Sequence, residues 1–438
     1  MISLKSIKNI FFIPELVRKL LFTVTVLIVY SIGKFIPIIG VDVPLLVEHM
    51  KNMTGALGGF LRYVDIFSGG ALQQCTLFAL GVGPYITASI MMQILSMSIP
   101  YFEQLAKEGE YGKKQINQYT RYLALGLSIM YSIMYSTYIE YNHLFISPGF
   151  GAKMLFILSL TVGSMFTMWL GEQISLMGLG SGSSLIIFTG IVAHFPTYVA
   201  QTINWVQVGN MNPIVALLIL AFFIAVTACI VFLEKGDRKI PVQYARRIIG
   251  QRIYGGQNTY IPFKINNVGV MPIIFASSVL NLPYFVLSFL AQRYEILKGV
   301  VELFKVNGFL YNVFEFGLIM FFTFLYLTLV YNPVEIANDM KKQGGFIPGL
   351  RPGQQTADYF DYILTRIGLI GAFYLATLAL LPNILRAFVA MPFSLQGTSL
   401  LISVGVALEI SALIESYLIE HNYGSFIKGG RLKSGVVR

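Results

Sequence analysis

The chain is dominated by long apolar runs that are separated by shorter polar intervals. Ten of these runs are long enough to cross about 30 Å of hydrocarbon as a helix. They lie at about 20–39, 74–98, 120–139, 153–171, 184–203, 213–233, 268–291, 314–332, 364–382 and 398–417. The pattern therefore predicts an all-α polytopic membrane protein with ten transmembrane helices.

The second run differs from an ordinary membrane anchor because it contains helix-weakening residues. Gly81, Gly83 and Pro84 stand where an anchor would carry leucine. Such residues persist within a span only where protein or a water-filled cavity covers the backbone groups that they free. Span two is therefore a candidate wall of a conduit.

The polar intervals differ in charge, and this difference predicts the topology. An even number of spans places both termini on the same side. If that side is the cytoplasm, 23 of the 31 Lys and Arg residues face it and 8 face the other side. Cytoplasmic loops collect basic residues, so both termini are predicted to be cytoplasmic.

The number of spans also bears on internal symmetry. Five spans carry the chain outward, so two five-helix halves that share a fold would be inverted relative to each other. The predicted divisions are a cytoplasmic N-terminal segment, a first half, an external connection, a second half and a cytoplasmic tail, at 1–19, 20–203, 204–212, 213–417 and 418–438.

The external segment 55–72 is too short and too charged to span the membrane. Glycine pairs, at 58–59 and 69–70, lie on either side of a short stretch with a helical apolar face. One interpretation is a turn of helix at the membrane interface. The other is a re-entrant half-helix that lies in a cavity and is hinged at its glycines.

Two cytoplasmic loops are long enough to have structure of their own. In the basic loop at about 234–266, alternating segments at 239–244 and 260–264 predict a hairpin. The loop at about 333–361 contains a Gly- and Pro-rich tip at 344–353, which presents Arg351 outward. These loops are either docking surfaces or simply solvated basic loops.

Composition narrows the class of protein. Apolar residues make up 55% of the chain and charged residues 12%, and the mean hydropathy is +0.69. A soluble chain of this length could not bury so much apolar surface. The two cysteines exclude a disulfide framework, and the four histidines lack metal-ligand spacing. No nucleophile, acid and base occur together, so we expect neither a cofactor nor an enzymatic activity.

Six motifs occur in one order along nearly the whole chain, and together they resemble the SecY family of bacterial protein-conducting channel subunits. They are 66–72 (IFSGGAL), 80–90 (LGVGPYITASI) with Gln93, 171–174 (GEQI), 270–278 (VMPIIFASS), 346–356 (FIPGLRPGQQT) and 397–402 (GTSLLI). The resemblance implies two inverted five-helix halves around a central hourglass pore. It also implies a channel that passes unfolded secretory polypeptides across the membrane and releases hydrophobic segments laterally into the bilayer.

The resemblance further assigns roles to individual positions. The pore constriction falls on six branched aliphatic residues, which are Val82, Ile86, Ile187, Ile191, Ile274 and Ile402. A ring of such side chains is readily dewetted and resists ions. The plug at about 58–70 includes Gly58, Gly59, Arg62, Asp65, Ile66, Phe67, Gly69 and Gly70. We expect Arg62 and Asp65 to keep the plug in an aqueous outer funnel.

The lateral gate, formed by spans two, three, seven and eight, includes Gln93, Ser277 and Ser278 by the same resemblance. The docking surface for the SecA motor or the translating ribosome is implied at Arg246, Arg247, Arg252 and Arg351. Guanidinium groups suit the phosphates of ribosomal RNA. The other implied partners are the small membrane subunits SecE and SecG, signal sequences with their unfolded preproteins, and the lipid bilayer. The implied location is the bacterial inner membrane.

The alternative to a channel is a secondary transporter of a small solute. Coupled carriers place ionisable residues within the bilayer. This chain offers few, and the only plausible relay is His194, where the family usually has a small residue, with Glu409. Two large cytoplasmic loops have no use in such a carrier.

Overall fold

A computed structural model of the chain describes residues 13–52, 65, 68–244, 247–249, 252–254, 258–266, 269–290, 299, 308–389, 391 and 397–431. Most of these residues are helical. The helices are α1 (Pro14–Gly33), α2 (Val43–Asn52), α3 (Gly83–Ser98), α4 (Pro100–Lys107), α5 (Glu110–Tyr141), α6 (Phe150–Met177), α7 (Gly182–Val192), α8 (Phe195–Gln207), α9 (Pro213–Lys235), α10 (Met271–Leu290), α11 (Phe309–Val330), α12 (Pro333–Lys342), α13 (Gln354–Phe388) and α14 (Gly397–Arg431).

Several helices begin at signals that are visible in the sequence. A proline occupies the first turn of α1, α3, α4, α9 and α12, where its missing N–H is not needed. The Asn212 side chain accepts a hydrogen bond from the Ile214 N–H at 3.0 Å and caps α9. Asn332 caps α12 in the same way, through the Val334 N–H at 3.2 Å.

Each of the ten predicted spans has a helical counterpart among the described residues. Within the described part of the chain, eight helical segments are long and apolar enough to cross a membrane. The remaining two spans correspond to α3 and α10. Two details differ from the prediction: α3 starts only at Gly83 rather than near residue 74, and span five is divided into α7 and α8.

Outside the spans, the described residues include five short strands in two small sheets. They are β1 (Asp237–Tyr244), β2 (Arg247–Ile249), β3 (Arg252–Tyr254), β4 (Asn258–Lys264) and β5 (Gly345–Phe346). β1 pairs antiparallel with β4, with Lys239 opposite Pro262, which confirms the predicted hairpin. β5 pairs with the other edge of β1, so the three-stranded sheet has the order β4-β1-β5, and β2 and β3 form a second sheet.

The chain divides into two compact units. The first comprises Met1–Ala200, Asn281–Val306 and Val406–Arg438, and the second comprises Gln201–Leu280 and Asn307–Gly405. The first contains a core cluster that includes Leu46, Ile139 and Phe156. The second contains a cluster that joins the three-stranded sheet to α12 and α13.

Small polar residues mediate the contact between α5 and α6 in the first unit. The hydroxyls of Ser128 and Ser164 lie 3.1 Å apart, and those of Ser132 and Thr161 lie 3.4 Å apart. Small side chains let two helix backbones approach closely, which is how helices associate in a bilayer that offers no hydrophobic driving force.

Candidate functional site

Residues 74–82, which directly precede α3, are not helical, although hydropathy predicts that span two begins near residue 74. We call residues 68–82 the entry segment. Four of its residues have positive φ angles: Gly69 (+65°), Gly70 (+83°), Cys75 (+49°) and Gly81 (+53°). Because these angles interrupt a right-handed helix, the chain enters span two as a series of turns.

Hydrogen bonds from neighbouring elements satisfy the backbone of the entry segment. The Tyr135 hydroxyl on α5 donates to the Leu72 carbonyl at 2.9 Å, and the Tyr30 hydroxyl on α1 donates to the Ser68 carbonyl at 3.4 Å. The Leu77 N–H donates to the Ile36 carbonyl at 2.9 Å. Irregular backbone of this kind is tolerated in a membrane protein where other parts of the protein cover it.

The start of the entry segment packs against the side chains of Lys34 and His194 and the backbone of α7. A Cβ added at Gly69 would overlap the Lys34 ammonium group and would lie 2.8 Å from the Gly190 Cα atom. A Cβ added at Gly70 would lie 2.8 Å from the His194 ring. Two of the predicted plug residues thus pack directly against α7 and the residues that follow α1 and α7.

Asp65 corrects the expectation that this part of the plug lies in water. Its side chain is only 4% exposed, and its carboxylate accepts a hydrogen bond from the Gln73 N–H at 3.0 Å. Burial raises the pKa of Asp65 to about 6, although the backbone bonds and the charge of Lys34 act in the opposite direction. The carboxylate is a buried structural group, because the folded segment itself supplies its hydrogen-bond donors.

The residues predicted for the constriction are shielded from the surroundings. Five of them are at most 3% exposed, which are Val82, Ile187, Ile191, Ile274 and Ile402. Ile86 is half-buried. The first four in sequence belong to the first unit, on α7 and around the start of α3, and the other two belong to the second unit.

The residues predicted for the lateral gate lie on α3 and α10. Gln93 and Ser278 are half-buried. Ser277 is buried, and its hydroxyl donates to the carbonyls of Ile273 and Ile274 at 2.9 and 3.0 Å. This bonding ties Ser277 to its own helix.

The second unit brings the two long loops together. β5 comes from the Gly- and Pro-rich loop and pairs with β1 of the hairpin, with Gln243 opposite Phe346. Glycine suits position 345, because an added Cβ would make tight contacts of 3.1 Å with the side chains of Met340 and Tyr244. The sheet is thus built from segments about one hundred residues apart in the sequence.

The tip that follows β5 has a fixed backbone and an exposed cation. The buried Thr356 hydroxyl donates to the Arg351 carbonyl at 2.9 Å, and the Leu350 N–H donates to the Ile347 carbonyl at 3.1 Å. The Arg351 residue itself is exposed. This arrangement suits recognition of an anionic partner, because the backbone is ordered before binding.

Other predicted site residues lie wholly or partly outside the described residues. Gly58, Gly59, Arg62, Ile66, Phe67 and Arg246 are not described. Arg247 and Arg252 are described only as backbone, in β2 and β3. Among the described residues, no group of three or more His, Cys, Asp or Glu side chains could hold a metal ion.

Sequence reasoning missed two charged features. Glu315 on α11 is 3% exposed, with the Asn383 amide 3.5 Å from its carboxylate. Arg121 on α5 forms a two-pronged ion pair with Glu172 on α6, at 2.7 and 2.9 Å. Both features lie at the edges of predicted spans, where a single charge does not predict a buried contact. For Arg121, the opposite charge of Glu172 at the end of the next span was the available signal.

Comparison with known sequences identifies the family. Residues 76–411 match the SecY family. The chain is 41% identical to the protein translocase subunit SecY of Escherichia coli (strain K12), over 96% of this chain and 95% of that protein. It is 40% identical to the protein translocase subunit SecY of Aquifex aeolicus (strain VF5), over 96% of this chain and 99% of that protein.

Comparison with solved structures confirms the fold. The chain superimposes with a TM-score of 0.65 on a SecY protein whose plug domain stabilises the closed state of its translocation channel, at 18% identity over 91% of this chain and 92% of that one. The TM-score is 0.57 for Sec61 in the canine ribosome-channel complex, at 16% identity and the same coverage. The sequence matches and the structural superpositions point to the same family. The chain belongs to the SecY family of protein translocase subunits.

Proposed function

We propose that this chain is the conducting subunit of a Sec translocon and that the six aliphatic residues predicted for the constriction line the narrowest part of its path. The carrying observation is that five of the six are at most 3% exposed, whereas the same helical bundle exposes many aliphatic residues widely, such as Leu217 (66%) and Ile224 (62%) on α9. Branched aliphatic side chains resist ions by dewetting and offer no fixed hydrogen-bond pattern, so a chain of any sequence can pass.

We propose that the segment at about 58–70 is the plug and that the entry segment anchors its C-terminal end. The support is the packing of Gly69 and Gly70 against Lys34, Gly190 and His194. The lateral gate would include Gln93, Ser277 and Ser278. A gate that must open needs weak polar contacts, and such contacts contribute about 0.6 kcal/mol each in membranes.

The docking proposal concerns the three-stranded sheet and its tip. Arg351, with Arg246, Arg247 and Arg252, would contact the SecA motor or a translating ribosome on the cytoplasmic side. The exposed Arg351 on a fixed backbone supports this role. We further propose SecE and SecG as membrane partners, the bacterial inner membrane as the location, and cytoplasmic termini, on the basis of the charge bias. The driving energy would come from SecA or the ribosome, since the chain itself would carry out no chemistry.

A double substitution tests the constriction. Ile86→Asn with Ile191→Asn places two polar side chains in the proposed ring, so the reconstituted channel should conduct ions at rest. The matched control is Ile94→Asn with Ile203→Asn, which changes the same residue type at the exposed positions of α3 and α8. If the Ile86 and Ile191 double variant has the same resting conductance as the parent and the control variant, the assignment of these residues to the constriction is wrong.

A charge reversal tests the docking surface separately. Arg351→Glu should abolish SecA-driven export while the protein still inserts in the membrane. Lys341→Glu is the control, because it makes the same charge change at an exposed position of α12 outside the tip. Export at the parent rate in the Arg351 variant would contradict the docking role.

A further inference from the structure

One face of α6 is shaped to receive the end of the entry segment. A Cβ added at Gly163 would overlap the Leu77 carbonyl oxygen and would lie 2.8 Å from its carbonyl carbon. The helix backbone and the irregular backbone therefore touch without an intervening side chain. Ser164 and Thr167 stand on the same face, next to Gly163 and one turn later.

Both hydroxyls on this face reach the same carbonyl oxygen. The Ser164 hydroxyl donates to the Gly81 carbonyl at 3.3 Å, and the Thr167 hydroxyl lies 3.0 Å from it. Thr167 also lies 2.8 Å from the Ser164 carbonyl of its own helix. It lies 3.1 Å from the Gly163 carbonyl as well. Because a hydroxyl has one proton, Thr167 shares it among three acceptors, whereas Ser164 directs its proton to Gly81.

Ser164 departs from the behaviour of comparable residues on α6. Thr161 donates to the Ile157 carbonyl at 2.8 Å, and Ser175 donates to the Gly171 carbonyl at 3.1 Å. Both bonds run within the helix, which is the usual arrangement for a hydroxyl in a helix interior. The hydroxyl of Ser164 is instead used between two elements of the first unit.

The Gly81 carbonyl lies at the point where the entry segment becomes a helix. Its residue has φ +53°, and the first helical hydrogen bond of α3 starts one residue later, from the Ile86 N–H to the Val82 carbonyl at 3.0 Å. The Gly81 carbonyl therefore precedes the helical hydrogen bonds of α3 and needs a hydrogen-bond donor from elsewhere. A buried carbonyl without a donor is costly in a membrane protein.

We propose that Ser164 and Thr167, with Gly163 providing the space, are positioning residues that hold Gly81 and thereby keep Val82 in the constriction. Val82 follows Gly81 directly and is 1% exposed. The inference rests on the proposed function, because it takes Val82 as a constriction residue. Releasing the Gly81 carbonyl would let Val82 move, and the channel would discriminate less strictly between functional and defective signal sequences.

The test removes both hydroxyls while preserving shape. The variant is Ser164→Ala with Thr167→Val, and the matched control is Ser132→Ala with Thr161→Val. The control deletes the same groups and one hydroxyl contact between α5 and α6, at 3.4 Å, without touching Gly81. The single substitution Thr167→Ser keeps a hydroxyl at both positions and should behave like the parent.

Two measurements report on the position of Val82 rather than on general stability. The first is the ratio of export with a defective signal sequence to export with an intact one. The second is the labelling rate of Val82→Cys by a thiol reagent, after subtraction of the rate for the same background without that cysteine. Each polar contact in a membrane protein shifts an equilibrium about threefold, so both readouts should rise by about threefold to about sevenfold in the Ser164 and Thr167 double variant.

The outcomes separate this inference from the proposed function. Equal export ratios and equal labelling in the test and control variants would overturn the positioning role, even if the Ile86 and Ile191 double variant conducts ions. A rise in Val82→Cys labelling in the test variant alone would support the positioning role. If labelling rises but the Ile86 and Ile191 variant does not conduct, the contact with Gly81 stands and the constriction assignment fails.

Discussion

Replacing Gly69 by alanine tests how the C-terminal end of the proposed plug is anchored. Gly69 has φ +65°, and an added Cβ would meet the Lys34 ammonium group and the Gly190 Cα atom, the latter at 2.8 Å. The lysine can rotate away because the contact is at the end of a flexible side chain. The Gly190 Cα atom belongs to the backbone of α7 and cannot move independently.

The expected free-energy cost of Gly69→Ala has a backbone part and a steric part. Gly40→Ala measures the backbone part alone. Gly40 has φ +99° and nothing within 4 Å of an added Cβ, so Gly40→Ala carries only a left-handed backbone cost of roughly 1–2 kcal/mol. Gly69→Ala adds an overlap that costs about 1–3 kcal/mol in a packed region. The packed position of the segment should therefore be about five- to about 140-fold less populated than in Gly40→Ala.

Resting conductance of the reconstituted protein in a planar bilayer measures this shift. Gly69→Ala should conduct at rest more than the parent and more than Gly40→Ala, at equal amounts of inserted protein. If Gly69→Ala and Gly40→Ala conduct equally, the contact with α7 does not hold the proposed plug. The anchoring argument would then be wrong.

Three further predictions concern other parts of the molecule. Burial raises the pKa of Asp65 to about 6. The packing of Asp65 against the entry segment should therefore become more stable as the pH falls through about 6, and the resting conductance should decrease between about pH 7.5 and about pH 5. Because Asp65→Asn cannot titrate, a conductance difference between this variant and the parent that does not change with pH would contradict the prediction. Phe263→Ala should destabilise the three-stranded sheet by about 3–5 kcal/mol, whereas Tyr260→Ala on the same strand, 57% exposed, should leave its resistance to limited proteolysis unchanged. Thr356→Val removes the hydrogen bond to the Arg351 carbonyl, worth about 1 kcal/mol, and should weaken SecA binding about fivefold; equal affinity would show that the tip does not need it.

Features that depend on local pattern were predictable from the sequence. Each predicted span has a helix because apolar length alone determines whether a segment can cross a bilayer. The pairing of β1 with β4 was also predictable, since alternation marks both strands and they are close in sequence. The shielding of Val82 and Ile402 follows family motifs, which carry tertiary information that periodicity lacks.

Features that depend on distant contacts were not predictable. Residues 76–82 are apolar enough to be helical, but they form turns instead. Hydroxyls from α5 and α6 bind carbonyls of the entry segment at Leu72 and Gly81, and hydropathy does not register such contacts. The pairing of β5 with β1 joins loops about one hundred residues apart, and a two-residue strand has no detectable period. Asp65 was expected in water because a charged residue alone does not reveal that nearby backbone donors enclose it.

The pairing of β5 with β1 also determines which helices would receive a force applied to the tip. β1 starts two residues after α9 ends, β4 is followed by α10, and β5 stands between α12 and α13. A force applied to the exposed tip at Arg351 is therefore distributed through one hydrogen-bonded strand set to the ends of several helices, rather than being absorbed by an isolated, compliant loop. If a motor pushes repeatedly on this surface, the sheet and the helices attached to it should resist the force with little deformation.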